Sequence, residues 1–460
     1  MQDIITPILQ KIKPSKEEVD KLKEVSNTII EKINKIAKEL KIEAYAILVG
    51  SADRGTWISG EHDLDIFITF PEDTSREDLE KIGLYIAKKA VENYEERYAE
   101  HPYIHALVSD KYEIDIVPCF RVSSSAKIKS AVDRTPFHNL YVKENINGLE
   151  DEVLLLKQFC RGIGVYGSEL KTQGFSGYLC ELLIIYYKSF IKVLKSACDW
   201  HPNLVIDLAK HGAFEGSDPL IVIDPVDKGR NVAAAVSLDK FCEFIDASRS
   251  FLDNPSEKYF FATPDQPLSD KDFLKKISER GTNFFVIEFK VPSLVEDILY
   301  PQLRKMENAV IELIKRHDFR VFRSDVCTWN NTAVILLEIE IATLPNIKKH
   351  LGPPVSMKIH ADRFKNKYKN KSDTLLFSGP YIKNGRYVVE IKRKYTNVLD
   401  LLESELHSIG LGKHISKAIE MEYRVLVNEE IINIKNQEFR SFLRYYFKSN
   451  TSVQTANLKQ

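Results

Sequence analysis

The sequence predicts an α+β protein of several domains, and three observations support this class. The chain has 460 residues, which is too long for one hydrophobic core, so about two to four domains are expected. Residues 44–120 combine strand-like apolar runs with a helical stretch, whereas the pattern from residue 151 is mainly helical. Strand patterns return around a helix over residues 284–341.

The first predicted elements are a helix and a buried strand. Ser15 and Glu18 form a capping box, and apolar residues follow at helical spacing. The apolar run over residues 44–49 predicts a buried strand, after which Gly50 and Ser51 are expected to turn the chain. Because a small polar turn after a strand offers N–H groups and a hydroxyl, it is suited to bind phosphate.

A second strand, over residues 63–70, opens with Asp63 and Asp65. Alternate residues of a strand point to one face, so the two carboxylates project together and Leu64 points the other way. Carboxylates this close repel each other unless a cation lies between them, and oxygen ligands suit Mg²⁺. The pair therefore predicts a Mg²⁺ site, with a surface hairpin and two solvated acids as the alternative.

A hairpin predicted over residues 103–120 supplies a third carboxylate. In its second arm Glu113 and Asp115 share one face, and Ile114 and Ile116 share the other. Two-metal chemistry needs shared and unshared carboxylate ligands around cations about 3.5–4 Å apart. We therefore predict Asp115 as the third ligand, with Glu113 as the competitor and the polar face of an ordinary hairpin as the alternative.

The helical region contains one further candidate segment. Residues 178–196 predict a single core helix, and a short strand later leads into a turn with Asp224, Asp227 and Arg230. A helix is expected to begin near residue 231. An arginine at a helix N-terminus opposes the helix dipole, which indicates a partner for Arg230, either one of these acids or a ligand phosphate.

The C-terminal part predicts a junction over residues 255–272, which are rich in Pro, Asp and Ser. The β-α-β-β order that follows is similar to half of a ferredoxin-like or RRM-type sandwich, without the aromatic RNP signature. Pro301 is expected at the first position of its helix. A lysine run over residues 365–371 and a basic, aromatic stretch over residues 440–448 fit contacts to RNA, or else form solvated surfaces.

The composition is that of an ordinary globular protein, with 44% apolar and 28% charged residues. The net charge of −1 excludes a global basic field, although a local basic surface is enough to bind nucleic acid. The six cysteines form no CxxC pair, which predicts reduced thiols in a cytoplasmic protein. We expect no signal peptide and no membrane span.

Together, the strand acids predict nucleotidyl transfer. Asp63 and Asp65 would hold two Mg²⁺ ions, with Asp115 on the ion nearer the attacking hydroxyl, and pyrophosphate would leave after in-line attack on the α-phosphorus. Ser51 would bind the terminal phosphates, and Arg54 would add positive charge.

The Gly-Ser pair with the Asp-Leu-Asp motif resembles the nucleotidyltransferase superfamily of polymerase-β type. Further segments narrow the match: RTPFH (134–138), LK (156–157), GVYG (164–167), GFSGYLCEL (174–182) and DPVDKGRNV (224–232). Together they resemble the archaeal, class I CCA-adding enzymes, which are tRNA nucleotidyltransferases. The Arg-Arg-Asp motif of class II enzymes does not occur, and the resemblance covers nearly the whole chain.

The resemblance implies a polymerase-β-type head with a mixed sheet and helices, a helical neck, and a ferredoxin- or RRM-like α/β body and tail. The implied boundaries are 1–150 for the head, 151–257 for the neck, 258–317 with 393–460 for the body, and 318–392 for the tail. The body and tail would bind tRNA.

The resemblance also implies template-independent addition of C, C and A, from CTP and ATP, to tRNA lacking its 3′ CCA, with Mg²⁺ as cofactor. Asp63, Asp65 and Asp115 would be the catalytic metal ligands. The nucleotide would be bound by Gly50, Ser51, Arg54, Thr135, His138, Lys157, Tyr166 and Arg230. His138, Lys157 and Tyr166 have packing roles as their alternative.

Other activities and assemblies stay open at this point. A poly(A) polymerase or an oligoadenylate synthase shares the three acids and would use ATP alone. Antibiotic nucleotidyltransferases share the head motif but do not need large C-terminal domains. A catalytically dead RNA-binding scaffold is disfavoured by the intact acids. The sequence does not decide the oligomeric state, and a homodimer is one option.

Overall fold

The computed structural model describes residues 2–98, 100–109, 111–261, 266–369 and 375–448. The chain divides into two compact units, one before residue 265 and one over residues 265–448. Each unit is described by itself below. Among the described residues, no helix combines the length and the apolar character needed to span a bilayer.

The first unit begins with two helices and a sheet that alternates with short helices. Its strands are β1 (Tyr45–Val49), β2 (Asp63–Pro71), β3 (Tyr94–Tyr98), β4 (Pro102–Val108), β5 (Tyr112–Arg121), β6 (Leu204–Asp207) and β7 (Leu220–Ile223). Its helices are α1 (Gln2–Ile12), α2 (Lys16–Glu39), α3 (Gly50–Arg54), α4 (Arg76–Ala90), α5 (Thr135–Ile146), α6 (Glu150–Gly162), α7 (Gly177–Tyr187), α8 (Phe190–Ala197) and α9 (Leu238–Asp253).

The main sheet of this unit is mixed, with the strand order β1-β2-β5-β4-β3. Strands β2 and β5 are parallel, and the other neighbours are antiparallel. Helices α2 and α4 cover one face, where Ile33 and Ile86 pack against Leu64, Ile66 and other apolar residues of the strands. The other face carries acids at the start of β2 and β5, and further along these strands Phe67 and Cys119 are buried in a small apolar cluster.

The predicted helix over residues 178–196 is wrong, because the chain breaks it into α7 and α8. Lys188 ends α7 in the left-handed conformation, with φ +70°, and the Ser189 side chain caps the first turn of α8. The helix expected near residue 231 is also absent, since residues 231–235 form a bridge and turns and α9 begins at Leu238. Neither residues 188–189 nor residues 231–237 include a glycine or proline that would have indicated the end of a helix.

The predicted end of the neck at residue 257 falls inside a packed cluster. Tyr259 and Phe260 are buried against Phe159 of α6 and Phe251 of α9. The packing therefore keeps these two residues with the first unit. Residues 262–265, within the predicted junction, lie outside the described residues.

The second unit contains two sheets with helices around them. Its strands are β8 (Asn283–Lys290), β9 (Val321–Trp329), β10 (Thr332–Ile339), β11 (Ile347–Pro354), β12 (Leu376–Lys383), β13 (Arg386–Lys392) and β14 (Tyr423–Val427). Its helices are α10 (Asp270–Arg280), α11 (Glu296–Arg316), α12 (Lys358–Lys369), α13 (Val398–Glu405), α14 (Lys413–Met421) and α15 (Gln437–Tyr446).

The larger sheet of the second unit is antiparallel, with the order β14-β8-β10-β9. Helices cover both of its faces, so every residue of the central strand β10 is buried. The predicted tail boundary at residue 318 divides this sheet, because β10 pairs with β8 of the predicted body and β9 pairs with β10. The smaller sheet, β11-β13-β12, packs against α12.

The structure also bears on two local predictions in the second unit. Pro301 is not at the first helical position, since α11 begins at Glu296 and continues through the proline. The lysine run lies on α12 as far as Lys369, and residues 370–374, with Lys371, lie outside the described residues.

Candidate active site

Four acidic side chains share one face at the start of two parallel strands. The register of β2 and β5 pairs Asp63 with Glu113 and Asp65 with Asp115. Leu64, which lies between Asp63 and Asp65 in the sequence, is buried on the opposite face. Because paired residues of neighbouring strands point the same way, the structure brings the three predicted metal ligands to one place.

Burial and neighbouring acids destabilise the charged forms of Asp63 and Asp65. Burial and the nearby charge of Asp115 raise the pKa of Asp65 to about 6, although Arg54 partly opposes this. Desolvation and the charges of Glu113 and Asp115 also raise the pKa of Asp63. Within the described residues neither carboxylate has a hydrogen-bond or ion-pair partner. Such a cluster of oxygen ligands fits a divalent cation.

Asp115 differs from the other two acids, because its Oδ1 accepts a hydrogen bond of 2.7 Å from His105 Nδ1 on β4. Among the described side chains, no group of three or more His, Cys, Asp or Glu residues is placed so that it could hold a metal ion as it stands. The acids thus share a face and a strong mutual repulsion without a finished coordination shell.

Gly50 lets the chain pass close to Asp65. It has φ +78°, and a Cβ built on it would lie 2.1 Å from Asp65 Oδ2. The turn predicted at Gly50 and Ser51 is instead the first turn of the short helix α3. Ser51 is half-buried in that turn. A glycine at position 50 is therefore required both by the backbone conformation and by the neighbouring carboxylate.

Arg54, at the end of α3, is committed to partners within the protein. Its Nε donates a hydrogen bond of 3.0 Å to Glu181 Oε1, and its Nη1 donates one of 3.0 Å to Asn139 Oδ1. Its Nη2 lies 3.0 Å from Glu181 Oε2 as an ion pair. Glu181 is fully buried. Arg54 can still attract negative charge in the site, but the structure holds it in this fork-shaped ion pair.

A cleft of about 950 Å³ lies beside the acids. The predicted site residues that line it are Gly50, Arg54, Asp65, Thr135, His138 and Arg230. Side chains that the sequence analysis did not assign also line it, among them Arg134, Ser176, Tyr178 and Asp227. Ser51, Asp63, Asp115, Lys157 and Tyr166 are not among its lining residues.

The buried carboxylate of Asp224 ties three of these cleft residues together. It accepts hydrogen bonds from His138 Nε2 at 2.8 Å and Arg230 Nη1 at 2.9 Å. The Tyr178 hydroxyl lies 3.4 Å from its Oδ1, and the rings of His138 and Tyr178 stack with centroids 4.3 Å apart. Of the two partners left open for Arg230, the structure contains the internal acid Asp224.

The charges around Asp224 reinforce this arrangement. Burial acts to raise the pKa of Asp224, but hydrogen bonds from His138, the Val226 amide and Arg230 outweigh burial and lower it. A second ion pair, Arg134 with Asp227 at 2.8 Å, lies on the same cleft. Basic groups are therefore held in fixed positions by acids beneath or beside them.

Lys157 is buried and Tyr166 is half-buried, and both lie close to Gly177, between the cleft-lining Ser176 and Tyr178. Lys157 is 3% exposed, and its Nζ donates to the Thr56 carbonyl at 2.8 Å. A Cβ on Gly177 would lie 3.1 Å from the Tyr166 hydroxyl and 3.4 Å from Lys157 Nζ. The Arg161 guanidinium lies over the Tyr166 ring, 4.6 Å from its centroid.

The site residues that sequence reasoning missed carry weak local signals. Arg134 and Tyr178 fall within quoted motifs, yet nothing in their spacing marks them as cleft residues. Asp224 and Asp227 were recognised only as partners for Arg230. His105 alternates with apolar neighbours in the strand before Asp115. This pattern indicates which face of the sheet His105 occupies, but it does not predict the hydrogen bond to Asp115.

Three family models match the chain. They are the nucleotidyltransferase domain over residues 30–138, the second domain of tRNA nucleotidyltransferase over residues 151–261, and the C-terminal domain of CCA-adding enzyme over residues 280–428. With the paired acids on its mixed sheet, the chain is a nucleotidyltransferase with a head of polymerase-β type.

Relatives narrow this class. The chain is 49% identical to the CCA-adding enzyme of Methanosarcina barkeri over 441 residues, which cover 95% of this chain and 96% of the relative. It is 48% identical to the CCA-adding enzyme of Methanosarcina mazei over 447 residues, covering 96% and 98%. The chain therefore belongs to the CCA-adding enzyme family. Among solved structures it is similar to the Cid1 poly(U) polymerase, with a TM-score of 0.46 and 14% identity over 57% of this chain and 98% of that one.

Proposed function

We propose that this chain adds C, C and A to the 3′ end of tRNA lacking that triplet, using CTP and ATP and releasing pyrophosphate. The observation that carries the proposal is the register of Asp65 with Asp115 on parallel strands beside a large basic-lined cleft. Membership of the CCA-adding enzyme family supports tRNA as the acceptor over other nucleotidyl acceptors.

The metal ligands would be Asp63, Asp65 and Asp115, and Mg²⁺ is the proposed ion. The fit is supported by two unpartnered carboxylates with raised pKa values. When bound, divalent cations lower the pKa of the attacking 3′ hydroxyl and neutralise the charge of the leaving pyrophosphate. The carboxylates themselves hold the negative charge, and Gly50, which has no Cβ, leaves room for the Asp65 carboxylate.

The triphosphate would be bound from the side of α3 and α5. Ser51 would donate its hydroxyl, Thr135 and His138 would contact phosphate or ribose, and Arg54 would contribute through its charge. Lys157 would also contact the phosphates. Its ammonium carries three donors, and the described residues supply one acceptor, the Thr56 carbonyl.

The base and the sugar would lie near Arg230 and Tyr166. Arg230 would read the base together with the RNA backbone, from the position that Asp224 imposes on its guanidinium. The Tyr166 hydroxyl would bond a ribose hydroxyl. Both roles rest on the family resemblance and on the placement of these side chains at or next to the cleft.

For the domains, we propose a catalytic head over residues 1–150 and a helical neck from residue 151. A body over 258–317 and 393–460 and an inserted tail over 318–392 would hold tRNA, except that strand pairing moves residues 321–339 to the body and packing moves residues 259–260 to the neck. The strand order β14-β8-β10-β9 supports a ferredoxin-like body.

The enzyme would work in the cytoplasm without a membrane partner, and its free cysteines suit a reducing compartment. A homodimer is proposed as one assembly to be tested by light scattering at enzyme concentrations used for assay.

The test of function uses tRNA transcripts that end at the discriminator base, Mg²⁺, and α-labelled CTP or ATP. We expect two C additions with CTP, and one further A when both nucleotides are present. The Asp65→Asn variant should add nothing while it keeps its folded spectrum. A long tail with ATP alone would place the chain with poly(A) polymerases, and transfer to no RNA by the folded enzyme would refute the proposal.

A further inference from the structure

His105 is not one of the predicted metal ligands, but its side chain contacts one of them, Asp115. It lies on β4 directly opposite Asp115 in the antiparallel register of β4 and β5. The ring donates Nδ1–H to Asp115 Oδ1 over 2.7 Å, with the acceptor role set by the carboxylate. This short, charge-assisted bond lies within the range of strong hydrogen bonds.

The strand fixes the histidine ring where it stands. Ile104 and Ala106, on either side of His105, are fully buried on the opposite face of the sheet, so the strand cannot turn His105 away without exposing them. The His105 side chain is 15% exposed, compared with 37% for Asp115. The donor is thus held more firmly than the acid to which it donates.

The bond divides the two oxygens of Asp115. Oδ1 is occupied by His105, whereas the described residues give Oδ2 no hydrogen bond. An aspartate side chain that is free to rotate must lose that freedom when it binds a cation, and a partner on one oxygen removes that cost in advance. In the described parts of the chain, Asp63 and Asp65 have no comparable partner.

We propose that His105 is a positioning residue, which holds Asp115 so that its Oδ2 faces the cation site shared with Asp65. The proposal rests on the proposed assignment of Asp115 as a metal ligand. Hydrogen bonds to ligand side chains orient them, and loss of such a bond costs about 10- to 100-fold in metal affinity or activity.

The test compares His105→Leu with His105→Asn in the full-length protein. Leucine fills similar space without a donor, whereas the asparagine amide places an N–H near the position of Nδ1. The readout is Mn²⁺ binding, followed by electron paramagnetic resonance without tRNA or turnover, together with the rate of C addition. Leu107→Ala is the matched control, because Leu107 lies on the same strand and face but opposite Glu113.

We expect His105→Leu to raise the Mn²⁺ dissociation constant by about 10- to 100-fold and to slow C addition at limiting metal. His105→Asn should recover most of both, and Leu107→Ala should bind Mn²⁺ like the wild type. Equal Mn²⁺ affinity in His105→Leu and Leu107→Ala, or no recovery in His105→Asn, would overturn the positioning role.

Asp115→Asn separates this proposal from the proposed function. Weaker Mn²⁺ binding in Asp115→Asn confirms that Asp115 is a ligand, so a normal His105→Leu would then overturn the positioning role alone. Unchanged binding in Asp115→Asn would overturn both the ligand assignment and the role of His105. The Mn²⁺ readout holds even if the wild type adds no nucleotide to tRNA, an outcome that would refute CCA addition only.

Discussion

The backbone of Gly50 passes so close to the Asp65 carboxylate that a Cβ at position 50 would lie 2.1 Å from Asp65 Oδ2. The sequence pattern predicted that the glycine serves phosphate binding, and the structure adds that it leaves room for the Asp65 carboxylate, a proposed metal ligand. Carboxylates that lie close together raise one another's pKa values, and a bound cation would stabilise the charged form of this cluster.

Gly50→Ala is expected to lower the rate of C addition by about 100-fold or more, because displacement of a catalytic group by about 1 Å can cost that much. The added Cβ would push Asp65 away, and the left-handed backbone would add about 1–2 kcal/mol of strain. Gly60→Ala is the control, since Gly60 has φ +87° and no atom within 4 Å of its Cβ position. Equal rates in the two variants would contradict the steric role of Gly50.

Asp224 is a buried acid that holds several cleft side chains in place. We expect Asp224→Asn to lower the free energy of unfolding by about 3–5 kcal/mol at neutral pH, because Arg230 and His138 lose their charged partner. The Km for CTP should rise more than kcat falls. Urea unfolding and initial-rate kinetics measure the two effects, with the exposed Asp246→Asn expected to change stability by less than about 0.5 kcal/mol.

The loss of stability in Asp224→Asn should depend on pH. The pKa of Asp224 in the folded protein lies below its ordinary value of 3.8, so its carboxylate adds stability that is complete above that value and is lost as pH falls through the lower folded pKa. The gap between wild type and variant should therefore be constant near neutrality and close under acid conditions. A gap that widens on acidification would contradict this linkage.

At the scale of elements, strand register decides which acids meet. A shift of one residue between β2 and β5 would place Asp65 opposite Ile114 or Ile116 and turn the acid face into the core. The helices behave differently, since α7 and α8 are separated by only two residues, the left-handed Lys188 and the capping Ser189, without glycine or proline. A non-glycine residue in that conformation stores local strain.

Lys188→Gly should therefore raise the free energy of unfolding by about 1 kcal/mol, because glycine adopts the left-handed conformation without the Cβ clash. Lys188 is exposed, so no packing is lost and C addition should be unchanged. Lys195→Gly, in α8, should lower stability by about 1 kcal/mol. Urea midpoints for both variants test this, and a destabilised Lys188→Gly would show that its side chain has a structural role.

At the scale of the whole molecule, the predicted catalytic residues all belong to the first compact unit. The described part of the lysine run lies on α12 of the second unit, where Lys365 and Lys367 are exposed. A net charge of −1 thus hides a local basic surface. This distribution supports separate sites for nucleotide chemistry and for RNA backbone contacts.

The double variant Lys365→Glu with Lys367→Glu should raise the Km for tRNA without changing the affinity for CTP. The slope of log affinity against log salt should fall by about 0.7–0.9 for each lost phosphate contact. Lys271→Glu with Lys275→Glu, on α10 of the same unit, is matched in charge. Equal effects of both pairs on tRNA Km would indicate general electrostatic attraction and would contradict a specific role for α12.

Short-range patterns predicted much of the site but not its contacts. The alternation in residues 63–65 and 113–116 predicted an acid face, and the strand order places those acids side by side. In β10, Glu338 alternates with the apolar Leu337 and Ile339, a pattern typical of a strand with one exposed face. Helices on both faces bury Glu338 instead, and Arg280, Thr282 and Tyr446 satisfy it.

The sequence by itself determined the class of chemistry, since the spacing of acids in strands and the Gly-Ser motif need only local geometry. It also determined the family resemblance that the full-length relatives confirm. Only the tertiary structure decided that Arg54 pairs with Glu181, that Asp224 holds His138 and Arg230, and that His105 holds Asp115. Local periodicity fixes the direction of a side chain, but the partner of a buried charge depends on which distant segment packs against it.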